Sequence, residues 1–227
     1  MENLFIVERS GDDVIIKDIA ERKYAEDNGL RHLTVICVIF TIEDGKWLLQ
    51  NRYKRYVTKA KAAKKPIPAP YDIFNTLGGH CTPGTNDQSL IGEKVTEALL
   101  YESLRKELSE ELLTKADRTP FPIPLFAPIP IGLTEHNAPN NIELSYYFAL
   151  PMTTAQSQQI YTADDVVIDG VKENIIMEHK CFSQSELVAL KAENKLEDAI
   201  TRLYDNPANH KTLQKLRETI DVWTLKK

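Results

Sequence analysis

Three cysteines in 227 residues, Cys37, Cys81 and Cys181, are too few and too scattered for a disulfide framework, and no CxxC pair offers a zinc site. A reducing, cytoplasmic compartment is the expectation. No apolar run approaches the roughly 18 residues that a membrane helix needs. The stretch from Met1 to Arg9 carries acidic residues where a signal peptide would start basic. Neither a membrane span nor a leader is therefore predicted. Positive charge is not in excess either: the net charge of −5 gives no general attraction to nucleic acid or anionic membrane, so both are disfavoured as partners. Repeats and low-complexity tracts are missing. The remaining composition, 42% hydrophobic and 27% charged, is that of a folded chain, and the length suits one domain over residues 1–227. Within it, residues 1–29 read as an N-terminal extension, 30–190 as the core and 191–227 as C-terminal helices.

The hydrophobic pattern predicts a mixed α/β (α+β) fold. β-Formers at 4–8 and 13–17 flank Gly11-Asp12-Asp13 as a hairpin, with a helical segment from about Ile19 to Asp27. His32 to Thr41, rich in β-branched residues, pairs through the Glu43-Asp44-Gly45 turn with Lys46 to Tyr53. From Tyr53 to Pro70 the chain is basic, proline-bearing and without apolar period, which predicts an exposed loop. A strand from Asp72 to Leu77 ends on Gly78-Gly79, and Thr82 to Asn86 turns into a helix between about Gly92 and Lys115. Pro120 to Leu133 reads as extended; Glu143 to Leu150 and Asn174 to Phe182 read as strands. Ser183 with Glu186 predicts a capped helix, and two more helices follow, 196–205 and 209–223. Cys37 belongs to the core of its strand.

The chemistry-bearing segment is Lys106-Glu107-Leu108-Ser109-Glu110-Glu111-Leu112, preceded by Gly78-Gly79-His80. On a helix, Glu107 and Glu111 stand four residues apart and Glu110 three from Glu107, so all three carboxylates can face one side. Like charges there repel by about 0.2–0.5 kcal/mol per pair, and a bound Mg²⁺ or Mn²⁺ would turn the repulsion into attraction. A solvated acidic face is the bland alternative, and the upstream glycine turn is what favours metal. His32 and His80 read as structural before they read as ligands, and Glu143 is equally a strand-edge carboxylate or a late acidic group near the metal.

This order of strand, Gly-Gly, turn and helix resembles the Nudix box. Gly79-His80-x-x-x-Gly84 matches its glycine-rich start, and Lys106, Glu107, Leu108, Glu110 and Glu111 match its core. Lys106 stands where the family has arginine, Leu113 where it has the closing glycine, and Lys106 lies about 13 residues further from Gly79 than the family spacing allows. Glu93, Glu97 and Thr85 compete for the early acidic position without a clear winner. His32-Leu33-Thr34-Val35, Leu48 to Arg52, Asp72, Glu143 to Phe148 and Phe182 to Leu187 extend the resemblance to the subgroup containing isopentenyl-diphosphate isomerase and isomerase-like hydrolases.

The resemblance implies a Nudix-type mixed sheet sandwiched between helices, and a Mg²⁺- or Mn²⁺-dependent hydrolase cleaving the diphosphate linkage of a small nucleoside-diphosphate-linked or related substrate. Glu107, Glu110, Glu111 and Lys106 are the implied catalytic residues, with metal held by Glu107, Glu110, Glu111 and the Gly79 carbonyl. Arg52, Arg55 and Gly78 are the expected substrate contacts, since the basic stretch is either a phosphate-contacting loop or a solvated linker. A homodimer is compatible with the family, although no exposed apolar stripe points to one. Two other readings stay open: a nucleotide-binding domain that does not hydrolyse, and an isomerase-like enzyme. The second is opposed by Gly78, which falls where the isomerase has its reactive cysteine.

Overall fold

The computed structural model describes residues 2–51, 64, 73–84, 87–124, 127–160, 166–168, 171–173 and 179–224. Strand β3 (His32–Thr41) organises it. All ten of its residues are buried, because a run of β-branched side chains alternating across a pleat needs cover on both faces. Leu33, Val35, Cys37 and Ile39 face one core cluster, while Ile36, Val38 and Phe40 face the other.

Three segments pair with β3. Strand β8 (Asn141–Met152) lies parallel to it over the full ten residues, His32 opposite Glu143 through Thr41 opposite Met152. Strand β4 (Trp47–Asn51) and strand β6 (Leu77–His80) run antiparallel to it. The hairpin of β1 (Asn3–Ser10) and β2 (Asp13–Glu21) joins beside His32. Strand β7 (Ile129–Ala138) pairs with β8, strand β5 (Phe74–Asn75) with β4, and β11 (His179–Phe182) forms the far edge beyond β4. A separate two-stranded ladder is made by β9 (Val166–Ile168) and β10 (Val171–Glu173).

Helices cover both faces, as the predicted fold class requires. After the short α1 (Arg22–Asp27), helix α2 (Glu97–Glu111) packs Leu100, Leu104 and Leu108 onto the Val35/Cys37 side. Burying each such leucine stabilises the fold by roughly 1.5–3 kcal/mol. A single turn, α3 (Thr154–Ser157), precedes three helices on the opposite face. They are α4 (Gln184–Ala192), α5 (Asp198–Asp205) and α6 (His210–Thr224), which contribute Leu187, Ile200, Leu203, Leu213, Leu216 and Ile220. The predicted capping box is present at α4, with the Ser183 hydroxyl accepting from the Glu186 N–H and the Glu186 carboxylate accepting from the Ser183 N–H. Among the described residues no helix is long and apolar enough to cross a membrane.

Three expectations shift. Residues 19–21 are strand rather than helix, because β1 pairs Asn3 with Glu21 and extends the hairpin. The helix begins at Glu97, capped by the Thr96 hydroxyl, instead of near Gly92, since residues 92–95 hydrogen-bond to β2 through the Ile16 and Val14 carbonyls. The strand at 72–77 does not stop on the glycines; Gly78 and Gly79 are themselves in β6, opposite Ile36 and Val35. The basic loop at 53–70, with the exception of Lys64, and residues 174–178 of the predicted late strand lie outside the described residues.

Candidate active site

The C-terminal half of α2 lies against β6, and the contact explains both glycines. A Cβ on Gly78 would stand 2.1 Å from the Val35 carbonyl oxygen, and its φ of +133° is one that side-chain-bearing residues rarely adopt. A Cβ on Gly79 would stand 2.2 Å from Glu107 Oε2. Gly78 thus lets two strands close up, and Gly79 leaves the space that the Glu107 carboxylate fills. The Gly78 N–H donates to Glu111 Oε2 at 2.9 Å, fixing a carboxylate that is only 5% exposed.

Glu107 is half-buried beside two other glutamates. Burial first, then the charges of Glu111 and Glu110, push its carboxyl up to about 8, with Lys106 opposing weakly. In the protein without a cation this group therefore holds a proton at neutral pH. Glu110, on the next turn, is half-buried. The Lys106 ammonium donates to Thr82 Oγ1 at 2.9 Å, tying α2 to the turn after β6. Arg105 lines a mostly apolar groove of about 300 Å³ between α2 and the proline-rich segment, with Tyr101 and Phe121. Glu97 sits in the first turn of α2, ten residues and about 15 Å of helix axis from Glu107. Glu93 precedes the helix, where its carbonyl pairs with Ile16. The inserted residues before α2 include the 3₁₀ turn Asp87–Leu90 and the segment bonded to β2. Arg52 and Arg55 lie outside the described residues.

Hard carboxylate oxygens on adjacent turns, one orientated by a backbone N–H and one needing a counter-charge, suit Mg²⁺ or Mn²⁺. The three glutamates are not drawn together tightly enough to count as one ligand-sized cluster. Among the described residues, the set whose donor atoms all lie within 4.8 Å of one another is His32, His80 and Glu143. His32 Nδ1 contacts the Leu30 carbonyl at 3.1 Å, and its Nε2 is buried without a partner. His80 lies with its ring centroid 5.1 Å away, and burial, then the nearby Arg22 charge, lowers it to about 4. Neutral imidazoles and a carboxylate can hold a transition metal. Here, however, Glu143 already has a cation: Arg202 from α5, 8% exposed, donates to Glu143 Oε2 at 2.8 Å and to Ser145 Oγ at 2.9 Å. Ser145 in turn meets Thr34 Oγ1 at 2.6 Å, and Asn141 donates to the other Glu143 oxygen. Burial would raise Glu143, but Arg202 wins and holds it below the usual carboxylate range.

No protein-family model matches the chain, and no curated protein does. Solved structures do resemble it distantly. A NUDIX hydrolase from Nitrosomonas europaea is 15% identical over 82% of this chain and 88% of its own, with a TM-score of 0.41. A MutT protein from Methanosarcina mazei Go1 is 14% identical over 83% and 95%, at 0.42. An ADP compounds hydrolase is 13% identical over 98% and 96%, at 0.40. A likeness this distant says nothing of what this chain binds or turns over.

Sequence reading missed Arg202, Thr82 as the Lys106 partner, Gln50 and His179. Arg202 had no local signal, because its partners Glu143 and Ser145 are on another element. Lys106 was expected among the carboxylates and instead reaches Thr82, which the turn before α2 brings beneath it.

Proposed function

We propose that this chain is a divalent-metal-dependent hydrolase of the Nudix type that cleaves a diphosphate linkage in a small molecule. The carrying observation is the fit of Gly78-Gly79 against Glu107 and Glu111: each missing Cβ is occupied, one of them by a carboxylate. Glu107, Glu110 and Glu111, with the Gly79 carbonyl, would hold Mg²⁺ or Mn²⁺. An ion held there neutralises a diphosphate and lowers the pKa of bound water. The Gly78 N–H orients Glu111, and the Lys106–Thr82 bond anchors the turn after β6 against the helix. Glu107 has a proton affinity suited to exchanging a proton with water near neutral pH. Arg52 and Arg55 are proposed phosphate contacts, and residues 1–227 are proposed to act as one domain in the cytoplasm.

A non-hydrolysing nucleotide binder is the second reading, favoured by Lys106 being engaged with Thr82 rather than with a carboxylate. The isomerase reading loses its acid: Gly78 has no room for any side chain, and Cys81 is fully buried with its thiol pushed up to about 12 by that burial. The test is metal-dependent release of phosphate products from a panel of diphosphates, with Glu110→Gln beside the wild type. The hydrolase reading expects turnover that Glu110→Gln abolishes while its thermal unfolding stays near wild type. Binding without turnover at any Mg²⁺ or Mn²⁺ concentration favours the second reading.

A further inference from the structure

On the α2 face of the sheet, a row of polar side chains is buried with hydrogen-bonding capacity left over. Gln50 on β4 is fully buried, directly opposite His179 on the edge strand β11. Directly opposed residues bring their Cβ atoms within about 4.5–5.5 Å. Their face follows from the period of two: Leu48 and Cys181, two residues away on each strand, both contact the cluster that α2 covers. Gln50 Nε2 donates to the Thr76 carbonyl at 3.4 Å, while Gln50 Oε1, both ring nitrogens of His179 and Thr76 Oγ1 are buried with no partner. Four such atoms in one place are unusual, because buried polar atoms in native proteins are nearly always paired.

The row adjoins the carboxylates. Thr76 is two residues before Gly78, whose N–H holds Glu111, a separation of about 7 Å along extended chain. The chemistry is neutral and two-sided. Burial lowers His179 to about 4, so its ring offers one N–H and one lone pair. Gln50 adds a free carbonyl oxygen, and Thr76 a hydroxyl able to donate or accept. A phosphate or carboxylate, which only accepts, would set its charge against the Gln50 oxygen and the imidazole lone pair. A hydrocarbon would leave all four atoms unmet.

We infer that Gln50, His179 and Thr76 form a specificity site that reads the hydrogen-bonding edge of a nucleobase on the substrate's diphosphate. The inference rests on the proposed hydrolase reading for the position of the diphosphate, but not for turnover. An ordered water is the competing occupant, since one water can satisfy two to four such atoms.

The experiment measures Mg²⁺-dependent binding of ADP, GDP, ribose 5-diphosphate and pentyl diphosphate by calorimetry, with hydrolysis of the same compounds followed in parallel. The proteins are the wild type, Gln50→Met and His179→Phe, each checked for thermal unfolding. The wild type is expected to bind at least one nucleoside diphosphate about tenfold or more tighter than ribose 5-diphosphate. Both variants should erase that preference while pentyl diphosphate affinity moves less than about threefold. If His179→Phe does not fold, Gln50→Met alone carries the comparison. Equal preference in wild type and variants, parallel loss for every ligand, or no nucleoside preference in the wild type overturns the specificity site and leaves water as the occupant. Preference without hydrolysis supports the site and removes the hydrolase reading; hydrolysis without preference does the reverse.

Discussion

Adjacent glycines in one strand should fail in opposite ways when given a methyl group. In Gly78→Ala the new Cβ would meet backbone: 2.1 Å from the Val35 oxygen, 2.9 Å from Ile36 Cα and 3.0 Å from Val35 C, at a φ of +133°. None of those atoms can rotate away. Backbone strain of about 1–3 kcal/mol and overpacking of about 1–3 kcal/mol together predict a loss of about 2–6 kcal/mol. For a chain of this size that lowers Tm by about 5–25 °C. In Gly79→Ala the Cβ meets the far end of a flexible side chain, Glu107 Oε2 at 2.2 Å and Cδ at 2.7 Å. Ordinary contact needs more than about 3.4 Å, so the carboxylate must retreat by over 1 Å, which releases a like-charge contact and costs the fold about 1 kcal/mol or less. Displacement of a reacting or ligating group by about 1 Å can cost about 100-fold in rate. Gly79→Ala should therefore stay within about 4 °C of the wild-type Tm while losing Mg²⁺ affinity and diphosphate turnover. Thermal unfolding, Mg²⁺ calorimetry and initial-rate assays on the purified variants decide it. A Gly79→Ala protein that unfolds as early as Gly78→Ala, or that binds Mg²⁺ and turns over like wild type, would refute the placement of Glu107.

Two further outcomes follow from buried charge. Glu107 rises from 4.5 unfolded to about 8 folded, so the folded chain binds the extra proton between those values and metal-free stability should fall as pH rises from about 4.5 to 8. Mg²⁺ should therefore raise Tm more at pH 8.5 than at pH 6, and binding at pH 7 should release about one proton, read as a dependence of calorimetric heat on buffer ionisation; identical heats in all buffers would contradict it. Arg202→Met leaves Glu143 buried without its cation, at a cost of about 3–5 kcal/mol, or about 6–20 °C in Tm. In wild type Glu143 is depressed, so its contribution is present above the unfolded pKa and is lost as pH falls through the folded one. In Arg202→Met the sign reverses, and the deficit should shrink as acid protonates Glu143; a deficit independent of pH would show that packing rather than charge is lost.

Local signals were legible and assembled ones were not. The run from His32 to Thr41 named its own bounds, because a strand covered on both faces needs apolar side chains at every position. The Ser183–Glu186 cap was equally readable, since its atoms lie within one turn. Residues 19–21 were misread because strand pairing with Asn3 overrides a weak helical preference, and the start of α2 because residues 92–95 answer to β2. Proline at 120–130 hid the strand Ile129–Ala138, which tolerates Pro130 where a register shift breaks the ladder. The same division runs through the site. The glutamates of α2 stand on one helix and announce themselves by spacing, whereas Gln50, Thr76 and His179 come from three separate segments and share no motif. Gly78 and Gly79 join the two kinds of information. In sequence they signal only a turn. In the fold each is glycine because something else occupies the place of its Cβ, and the occupant differs: backbone for one, a carboxylate for the other. A glycine pair in a strand beside an acidic helix is therefore a statement about close approach, and close approach is what brings a metal-binding carboxylate next to a backbone donor.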